Sequence, residues 1–567
     1  MTWKRAVSIA AAVLALGTGP IPAGAQEPEP IEAGVAPAPG PYAPGVDVLH
    51  YEVEVGLASG AEGFEGHTEL RVSVREHGPV LPIDFTGLEI TELTVDGQTV
   101  PYLHEDGVVR VPLDGRRPAD TVRVALAYRG VPDDGLILRD NVHGDPAAFV
   151  DNWPNRTRFW MPTVDHPADK ATVRYTVHAP AGWRVIANGH LVGEPTPTRD
   201  GALGPESGER RTWVWEVGVP ISTYNMVIGA ADLEVRTIGL AACGRAPASR
   251  REDGCVEVTY WVFPEDVENA EPSFRRAAQM VDFFTELVGN YPFEKLANVQ
   301  SATRFGGMEN ASAIFYSEQA IADGRDIEST VSHEIAHQWF GDAVTEASWH
   351  HLWLSEGFAT YFGGLFFEAA DGVDAFRGIM ENNRTRVVNS EAAERPVIDP
   401  DETDLFALLN ANNYPKGAWV LHMLRGLLGD EVFFEAIREF YRRNIHTAVL
   451  TDDLKDVMEE VSHRELDWFF TQWLHRPGYP VFEVEERWIP DEANGGVAEV
   501  VVQQVQNEDW PRFRVPLELC WGEGVERICR EAVSASGQDT LRFTLDARPT
   551  GSVRLDPDGW VLKELRP

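Results

Sequence analysis

The length, composition and charge of this chain exclude several classes of protein. A chain of 567 residues exceeds what one hydrophobic core can serve, which predicts two to four domains. Hydrophobic residues at 43% and aromatic residues at 10% are typical of globular rather than disordered protein. A formal net charge of −40 argues against nucleic acid or an anionic membrane as a partner, because both would repel the chain.

The first 25 residues have the pattern of a secretory signal peptide. Lys4 and Arg5 give a positive start, and the apolar stretch Ala6–Leu16 is too short to span a bilayer. Small residues at positions 23–25 form a cleavage site, and the residue that follows is not a cysteine that could carry a lipid. Because no later segment is apolar enough to span a membrane, we expect a periplasmic or secreted protein.

Residues 26–45 contain six prolines and little that could pack, so we expect a disordered lead-in. From Val46 onward, apolar residues alternate with mostly polar ones, and turn-forming Gly, Asp and Pro separate these alternating segments. This predicts an antiparallel β domain over residues 46–232. The clearest alternation is at Leu49, Tyr51, Val53, Val55 and Leu57, then at Leu70, Val72 and Val74, and later at Val122, Val124, Leu126 and Tyr128.

The middle of the chain has helical periodicity. The pattern starts near Pro272, and we assign residues 233–477 to a mainly helical domain. Pro415 is expected to open one helix, in which apolar residues recur at helical spacing and Gly429 lies near the end. With β domains on either side, the predicted fold class is α+β multidomain.

After the helical region, apolar and polar residues alternate again, which predicts a small β-sandwich over residues 478–567. Four cysteines fit a secreted protein, and the two local pairs are the simplest disulfides: Cys243 with Cys255, and Cys520 with Cys529. A cysteine-based metal site is the alternative, but the spacings do not suit one. Each disulfide would stabilise by about 3 kcal/mol in the chain-entropy model.

His333 and His337 are spaced to bind one metal ion. If Val331–Phe340 is helical, the two imidazoles stand one turn apart on the same face and can hold one Zn²⁺. Glu334 lies beside them as a possible general base for a water molecule, and Glu356 offers a third ligand that leaves one position open. The alternative is an ordinary amphipathic helix, and the later Glu weighs against it.

Upstream lies a possible peptide-binding segment, Gly306-Gly307-Met308-Glu309-Asn310. Two glycines let another backbone approach closely, and Glu309 could hold a free α-ammonium group. An extended edge can also hydrogen-bond a peptide by strand addition. Alone, such a segment is more often an ordinary turn.

Downstream, Tyr414 stands at the expected mouth of a helix. Its phenol could donate a hydrogen bond to the oxyanion that forms when water attacks a polarised carbonyl. On its own, a tyrosine in this place would more simply be a packing residue.

Together and in this order, the segments resemble those of the gluzincin aminopeptidases, the family of aminopeptidase N and leukotriene hydrolase. The resemblance covers most of the mature chain, and eighteen residues separate His337 from Glu356, as in that family. The matching segments are 306–310, 333–341, Trp349 with 352–358, and 414–418.

The resemblance implies a β-rich N-terminal domain, a thermolysin-like catalytic domain, a C-terminal β domain and one zinc ion. It assigns the zinc ligands to His333, His337 and Glu356, and the activation of water to Glu334. The remaining implied roles belong to Gly306 and Gly307 for the substrate backbone, Glu309 for its amino terminus, and Tyr414 for the oxyanion, with Met308 and Asn310 completing the substrate-binding segment.

This sequence departs from the family's pattern where a second amine anchor is usual. The family carries a Glu or Gln twelve residues before an Asp that here is Asp165, and this position holds Trp153. Asp151, Asn152 or Asn155 are the candidates to substitute.

Two smaller departures are tolerable: Asp342 and Ser355 replace asparagines that are often seen beside the zinc motif. The large C-terminal helical domain of many relatives does not follow the small β domain, so we expect a more open site.

We therefore expect a secreted, monomeric zinc aminopeptidase that acts on peptides with a free N-terminus. One alternative is an endopeptidase with an open cleft, and another is epoxide hydrolysis, which one branch of the family adds. A third is a silent peptide-binding protein that kept the fold. Such proteins usually lose a ligand or the base, and here all four residues are present.

Overall fold

The computed structural model describes residues 45–58, 63–204, 208–491 and 495–566, which belong to one unit of the chain. The predicted signal peptide, residues 1–25, lies outside these ranges, as does the Pro-rich segment up to residue 44. Within the described ranges, no helix is both long enough and apolar enough to cross a membrane.

Alternating side chains build the N-terminal β domain. Tyr51, Val53 and Val55 are fully buried, and the residues between them are more exposed, as in a strand that packs on one face. Leu49 departs from the expected alternation because the strand pairing shifts register just before His50, and Val48 enters the core instead.

The strands of this domain are β1 (Val46–Gly56), β2 (Phe64–Val74), β3 (Val80–Asp84), β4 (Glu89–Val95), β5 (Gln98–Thr99), β6 (Leu103–Glu105), β7 (Val108–Pro112), β8 (Thr121–Gly130), β9 (Leu136–Asp140), β10 (Pro146–Val150), β11 (Lys170–Pro180), β12 (Arg184–Ala187), β13 (His190–Leu191), β14 (Thr196–Pro197), β15 (Arg210–Ser222) and β16 (Ile228–Ala231). The main sheet has the order β13-β15-β11-β1-β2-β8-β4-β5, and β14 pairs with β15. Smaller sheets have the orders β12-β16-β10-β9 and β3-β7-β6.

The pairing in the main sheet is antiparallel except between β1 and β11, which run parallel. A parallel neighbour needs a long crossover, and here the chain builds nine further strands before β11 returns beside β1. Period-two alternation cannot show this, because it reports which face is buried and not the direction of the neighbouring strand.

A five-stranded sheet begins the middle region, ahead of the helices. Its strands are β17 (Glu234–Ala241), β18 (Val256–Val262), β19 (Leu296–Ser301), β20 (Gly307–Met308) and β21 (Ala313–Ser317), in the order β17-β18-β19-β21-β20. The helices are α1 (Val267–Phe274), α2 (Ala277–Leu287), α3 (Glu318–Ala322), α4 (Glu328–His337), α5 (Trp353–Asp371), α6 (Val373–Val388), α7 (Gly417–Leu428), α8 (Asp430–Asn444), α9 (Thr451–Ser462) and α10 (Asp467–Leu474). Two short strands, β22 (Val344–Glu346) and β23 (Thr447–Val449), pair in parallel between them.

Pro415 does not open α7. It lies inside a π-helical turn, Asn412–Lys416, in which the amide of Lys416 donates to the carbonyl of Ala411 over 2.9 Å. The α-helix begins only at Gly417. This turn presents Tyr414, and we define it below as the tyrosine turn.

The C-terminal strands form two sheets, as the sandwich prediction requires. They are β24 (Val481–Asp491), β25 (Gly495–Gln504), β26 (Val515–Trp521), β27 (Ile528–Ser534), β28 (Gln538–Leu545), β29 (Arg554–Leu555) and β30 (Glu564–Leu565). One sheet has the order β28-β25-β24-β30 and the other β27-β26-β29. The fold class predicted from the sequence is thereby confirmed.

Both predicted disulfides are present. Cys243–Cys255 closes the connection between β17 and β18, and Cys520–Cys529 joins directly opposed residues of β26 and β27.

Candidate active site

Three side chains converge where α4 meets α5. His333 and His337 lie one turn apart on α4, and Glu356 lies in the first turn of α5. Oε2 of Glu356 is 3.1 Å from Nε2 of His333 and 3.2 Å from Nε2 of His337, and the two Nε2 atoms are 3.0 Å apart. Ligand atoms around a tetrahedral Zn²⁺ are about 3.3 Å apart for bonds of about 2.0 Å, so this triangle has the size of one zinc site.

In its neutral form, His337 carries its proton on Nδ1 and has a free lone pair on Nε2. Its Nδ1 is 3.0 Å from the carbonyl of Phe340, which can only accept, so the ring proton lies on that side. The Nε2 lone pair therefore faces the carboxylate of Glu356 and the other imidazole. Burial opposes a charge on His337, yet Glu356, Glu309 and Glu334 together raise its pKa well above the ordinary value, so without a cation at the site the ring takes a second proton on Nε2, which a bound metal ion would replace. The two imidazole nitrogens and the carboxylate of Glu356 thus point at one position, as the ligands of a bound cation do.

Glycines allow the helices of the site to approach closely. A Cβ on Gly357 of α5 would lie 2.9 Å from Cα of Gly417, the first residue of α7. This backbone contact brings the tyrosine turn against α5. As a consequence, the hydroxyl of Tyr414 donates to Oε1 of Glu356 over 2.8 Å. The Tyr414 ring also stacks on His333, with 6.0 Å between ring centroids.

Tyr414 keeps its hydroxyl proton at physiological pH and can therefore donate a hydrogen bond. Burial raises the pKa of its phenol well above the ordinary value, and the negative charge of Glu356 raises it further. The side chain therefore stays protonated and can donate a hydrogen bond to an oxygen that becomes negative beside the triad.

Glu334 is packed under the glycine segment. A Cβ on Gly307 would lie 2.2 Å from Oε1 of Glu334, whereas one on Gly306 would meet nothing within 4 Å. Burial raises the pKa of Glu334 well above its ordinary value, and Glu309 and Glu356 add repulsion. A dication beside it would favour the ionised form that a general base needs.

Gly307 and Met308 form β20, the edge strand of the five-stranded sheet. β20 pairs with β21, and among the described residues no strand covers its other side. Its free edge can therefore accept an extended peptide. Met308 and the following Glu309 and Asn310 are buried.

Glu309 is held at its backbone, and its carboxyl lies near Tyr224. Gln338 donates its side-chain amide to the Glu309 carbonyl over 2.8 Å, and the Tyr224 hydroxyl lies close enough to the Glu309 carboxyl to lower its pKa slightly. Burial raises the pKa of Glu309 to about 7; His337 works against this, and Glu356 contributes to it. A buried carboxyl with this environment favours a cationic partner.

The N-terminal domain supplies contacts that the sequence did not indicate. Tyr224 donates to the carbonyl of Gly341 over 3.2 Å, and Lys170 donates to the carbonyls of Asp342 and Ala343 over 2.9 and 2.8 Å. These residues fix the loop that follows the zinc-motif helix. The side chain of Asp342 also accepts from Asn225 over 2.9 Å, which explains why a carboxylate is tolerated there.

Two of the three candidates for a second amine anchor around Trp153, Asp151 and Asn152, already have hydrogen-bond partners within the protein. The carboxylate of Asp151 accepts from Arg156 over 2.7 Å and from the backbone amide of Arg304 over 3.2 Å. Asn152 is fully buried and donates to the carbonyl of Met226 over 2.7 Å. Trp153 itself is buried among aromatic rings of Phe305, Trp349 and Phe406, and Asn155 is buried as well.

Comparison with known proteins agrees with this geometry. The model of the Peptidase family M1 domain matches residues 273–473. Aminopeptidase N of Streptomyces lividans is 26% identical over 480 residues, which are 80% of this chain and 53% of that protein. Leucyl aminopeptidase of Saccharolobus solfataricus is 23% identical over 472 residues, 77% of this chain and 54% of that protein. The chain thus spans about half the length of the curated relatives it matches.

A solved structure matches over nearly all of its length. The M1 zinc metallopeptidase of Deinococcus radiodurans superposes with a TM-score of 0.65 at 27% identity, over 77% of this chain and 95% of that one. A mutant of that protein, bound to a Tyr-Ser-Ala substrate, superposes with a TM-score of 0.62 at 27% identity, over 76% of this chain and 94% of that one.

Two imidazoles one helical turn apart, with a carboxylate from the next helix, define a gluzincin metallopeptidase site. Residues 273–473 match the Peptidase family M1 domain, and the cofactor that this likeness implies is one catalytic zinc ion, which the three ligands fit.

Proposed function

We propose that this protein is a zinc-dependent aminopeptidase that hydrolyses the first peptide bond of peptides with a free N-terminus. The observation that carries the proposal is the triangle of ligand atoms from His333, His337 and Glu356, with sides of 3.0 to 3.2 Å, beside the buried carboxyl of Glu334. The M1 relatives named above support the same activity.

Substrate recognition follows from the edge strand and Glu309. A peptide that pairs with β20 places its backbone next to Gly307, and its terminal ammonium would meet the Glu309 carboxyl. Because Glu309 sits beside the triad, the first carbonyl of the peptide, and not a later one, lies at the reacting position. The tripeptide in the Deinococcus complex fits a site of this kind.

The residues around the scissile bond have separate roles. A zinc ion held by the three ligands would polarise the carbonyl and make water more acidic. Glu334 accepts a proton from the attacking water and passes it to the departing amine. Tyr414 donates a hydrogen bond to the oxygen that becomes negative during attack.

The same proposal includes a periplasmic or secreted location and a monomeric state. Two disulfides fit an oxidising compartment, where such bonds form and persist. The domain limits 46–232, 233–477 and 478–567 are part of the proposal as well.

The test uses purified protein and a panel of aminoacyl p-nitroanilides, each with a free and an N-acetylated amino group. We expect stoichiometric zinc, hydrolysis of the free-amine substrates, and loss of activity with a chelator that zinc restores. Glu334→Gln should retain zinc and lose turnover by several orders of magnitude. Normal activity of Glu334→Gln refutes the mechanism, equal hydrolysis of N-acetylated substrates favours an endopeptidase, and protein without zinc favours a silent binding protein.

A further inference from the structure

The segment after α6 lies between the C-terminal sheets and the tyrosine turn. It comprises residues 391–396, which we call the bridge segment, and it begins with a short 3₁₀ helix, Glu391–Glu394, that is capped by the side chain of Ser390. Main-chain carbonyls of this segment accept hydrogen bonds from both neighbours. The bridge segment therefore connects the tyrosine turn with a part of the chain that lies outside the catalytic helices.

Two hydrogen bonds hold the bridge segment to the C-terminal sheets. The backbone amide of Gly478 donates to the carbonyl of Ala393 over 2.7 Å. Nε1 of Trp510, in the connection between β25 and β26, donates to Oε2 of Glu394 over 2.9 Å. A Cβ on Gly478 would lie 2.2 Å from the Trp510 indole, so the glycine lets this ring pack directly on the backbone.

Asn412 holds the bridge segment from the other side. This residue is buried and is the first of the tyrosine turn. Its Nδ2 donates to the carbonyls of Ala392, Arg395 and Pro396 over 2.6, 2.9 and 3.2 Å. Because these acceptors lie 16 to 20 residues away along the chain, the bonds set the position of the whole turn and do not merely close it.

The tyrosine turn depends on such a tether because its backbone conformation is uncommon. π-helical turns are rare and are found frequently at functional sites. The amide of Tyr414 donates to the carbonyl of Asn410 over 3.3 Å, which is long for a backbone hydrogen bond. Two residues after Asn412 the Tyr414 hydroxyl reaches Oε1 of Glu356 over 2.8 Å. Hydrogen bonds and a few peptide units thus join Trp510 to the triad.

We propose that Asn412 is a positioning residue for Tyr414, and that the C-terminal sheets support the chemical step through the bridge segment. The triad is carried by α4 and α5, whereas the proposed oxyanion donor is carried by a turn that Asn412 holds in place. A displacement of about 1 Å between a catalytic donor and its acceptor can reduce the rate strongly. This inference rests on the proposed function and adds to it a residue outside the zinc motif.

Asn412→Leu removes the amide and keeps a side chain of similar size. With the zinc-loaded protein and the anilide that is hydrolysed fastest, we expect kcat to fall about tenfold, while KM and zinc content stay close to wild type. The decisive measurement is a double-mutant cycle with Tyr414→Phe. If Asn412 acts through the Tyr414 hydroxyl, adding Asn412→Leu to Tyr414→Phe should change kcat by less than about twofold.

Trp510→Phe tests the same connection from the C-terminal side. The variant keeps an aromatic ring and loses only the hydrogen bond to Glu394, at a partly exposed position where the fold is not at risk. We expect kcat to fall about threefold when the Tyr414 hydroxyl is present and to stay unchanged in the Tyr414→Phe background. This variant decides the question if Asn412→Leu does not fold.

Tyr441→Phe is the control for a general loss of stability. The buried hydroxyl of Tyr441 donates to the carbonyl of Asn290 over 2.7 Å, so the variant removes a buried donor from α8 in the same domain. It should lower the Tm and leave kcat unchanged. An equal loss of kcat in this control would overturn the inference.

Two further results would overturn it. One is a kcat of folded Asn412→Leu within about twofold of wild type, and the other is a loss that is the same with and without the Tyr414 hydroxyl. Failure of the proposed function looks different, because it is measured without these variants. In that case the wild type cleaves no free-amine anilide, or Tyr414→Phe is as active as the wild type.

Discussion

The hydroxyl of Tyr414 donates to Oε1 of Glu356 over 2.8 Å, while Oε2 of the same carboxylate faces His333 and His337. One carboxylate therefore joins the ligand set to the proposed oxyanion donor. The bond holds the phenol at the site with its proton in place. To act on substrate, Tyr414 must exchange this bond for one to the oxyanion, so its contribution should be specific to the transition state.

Tyr414→Phe tests that role. The substitution removes only the hydroxyl and keeps the ring that stacks on His333. We expect kcat to fall by about 10²–10³-fold, with KM and zinc content close to wild type, because the lost hydrogen bond is made in the transition state. Steady-state kinetics with metal analysis would decide the matter, and a kcat within about threefold of wild type would remove Tyr414 from the mechanism.

The adjacent glycines of the edge strand give a matched pair of substitutions. In Gly307→Ala the new methyl would lie 2.2 Å from Oε1 of Glu334, so either the base or the strand must move. In Gly306→Ala the methyl enters open space. We expect activity to fall at least about 100-fold in the first variant and little in the second. Similar kinetics in both variants would mean that the approach of β20 to Glu334 is unimportant.

Glu309→Gln tests the amine anchor. The amide keeps the shape of the side chain and loses the charge that would bind an ammonium group. We expect kcat/KM for free-amine substrates to fall by about 10²-fold, and the residual activity on N-acetylated substrates to change little. An equal loss on both substrate classes would show that Glu309 supports the fold or the triad and does not select the free N-terminus.

The sequence predicted those parts of the site that depend on local spacing. His333 and His337 fall on one helix face by periodicity alone, and Glu356 follows at a fixed distance on the next helix. The disulfides could also be paired from the short separations of their cysteines.

The contacts that the sequence could not predict join residues that are far apart along the chain. Tyr224 lies close to Glu309 although 85 positions separate them, and Lys170 binds the loop at Asp342 from another domain. No local pattern marks either residue. The tyrosine turn was missed for a different reason, because Pro415 commonly marks the first turn of an α-helix and here occupies a π-helical turn.

Lys416 is fully buried two residues after Tyr414, and its ammonium group has no partner among the described residues. Burial lowers its pKa from 10.5 to about 7. Between these values the unfolded chain binds the proton more tightly than the folded one, so the contribution of Lys416 to stability improves as pH rises. Lys416→Met removes the cost of burying a charged amine. It should therefore raise the apparent Tm at pH 7, by an amount that shrinks towards about pH 10.

Lys295→Met is the control for that prediction. Burial lowers the pKa of Lys295 to about 7 as well, but its ammonium group donates to the carbonyls of Ala187 and Ser312 over 2.8 and 3.1 Å. Removing it leaves buried acceptors unpaired, which costs about 1–3 kcal/mol for each group. Because the two lysines share the same cost of burying a charged amine, the Tm of Lys295→Met should lie below that of Lys416→Met at every pH, by an amount that reflects the lost hydrogen bonds. Thermal unfolding across the pH range distinguishes the two cases, and a Tm gain of Lys416→Met that grows with pH would contradict the ionisation argument.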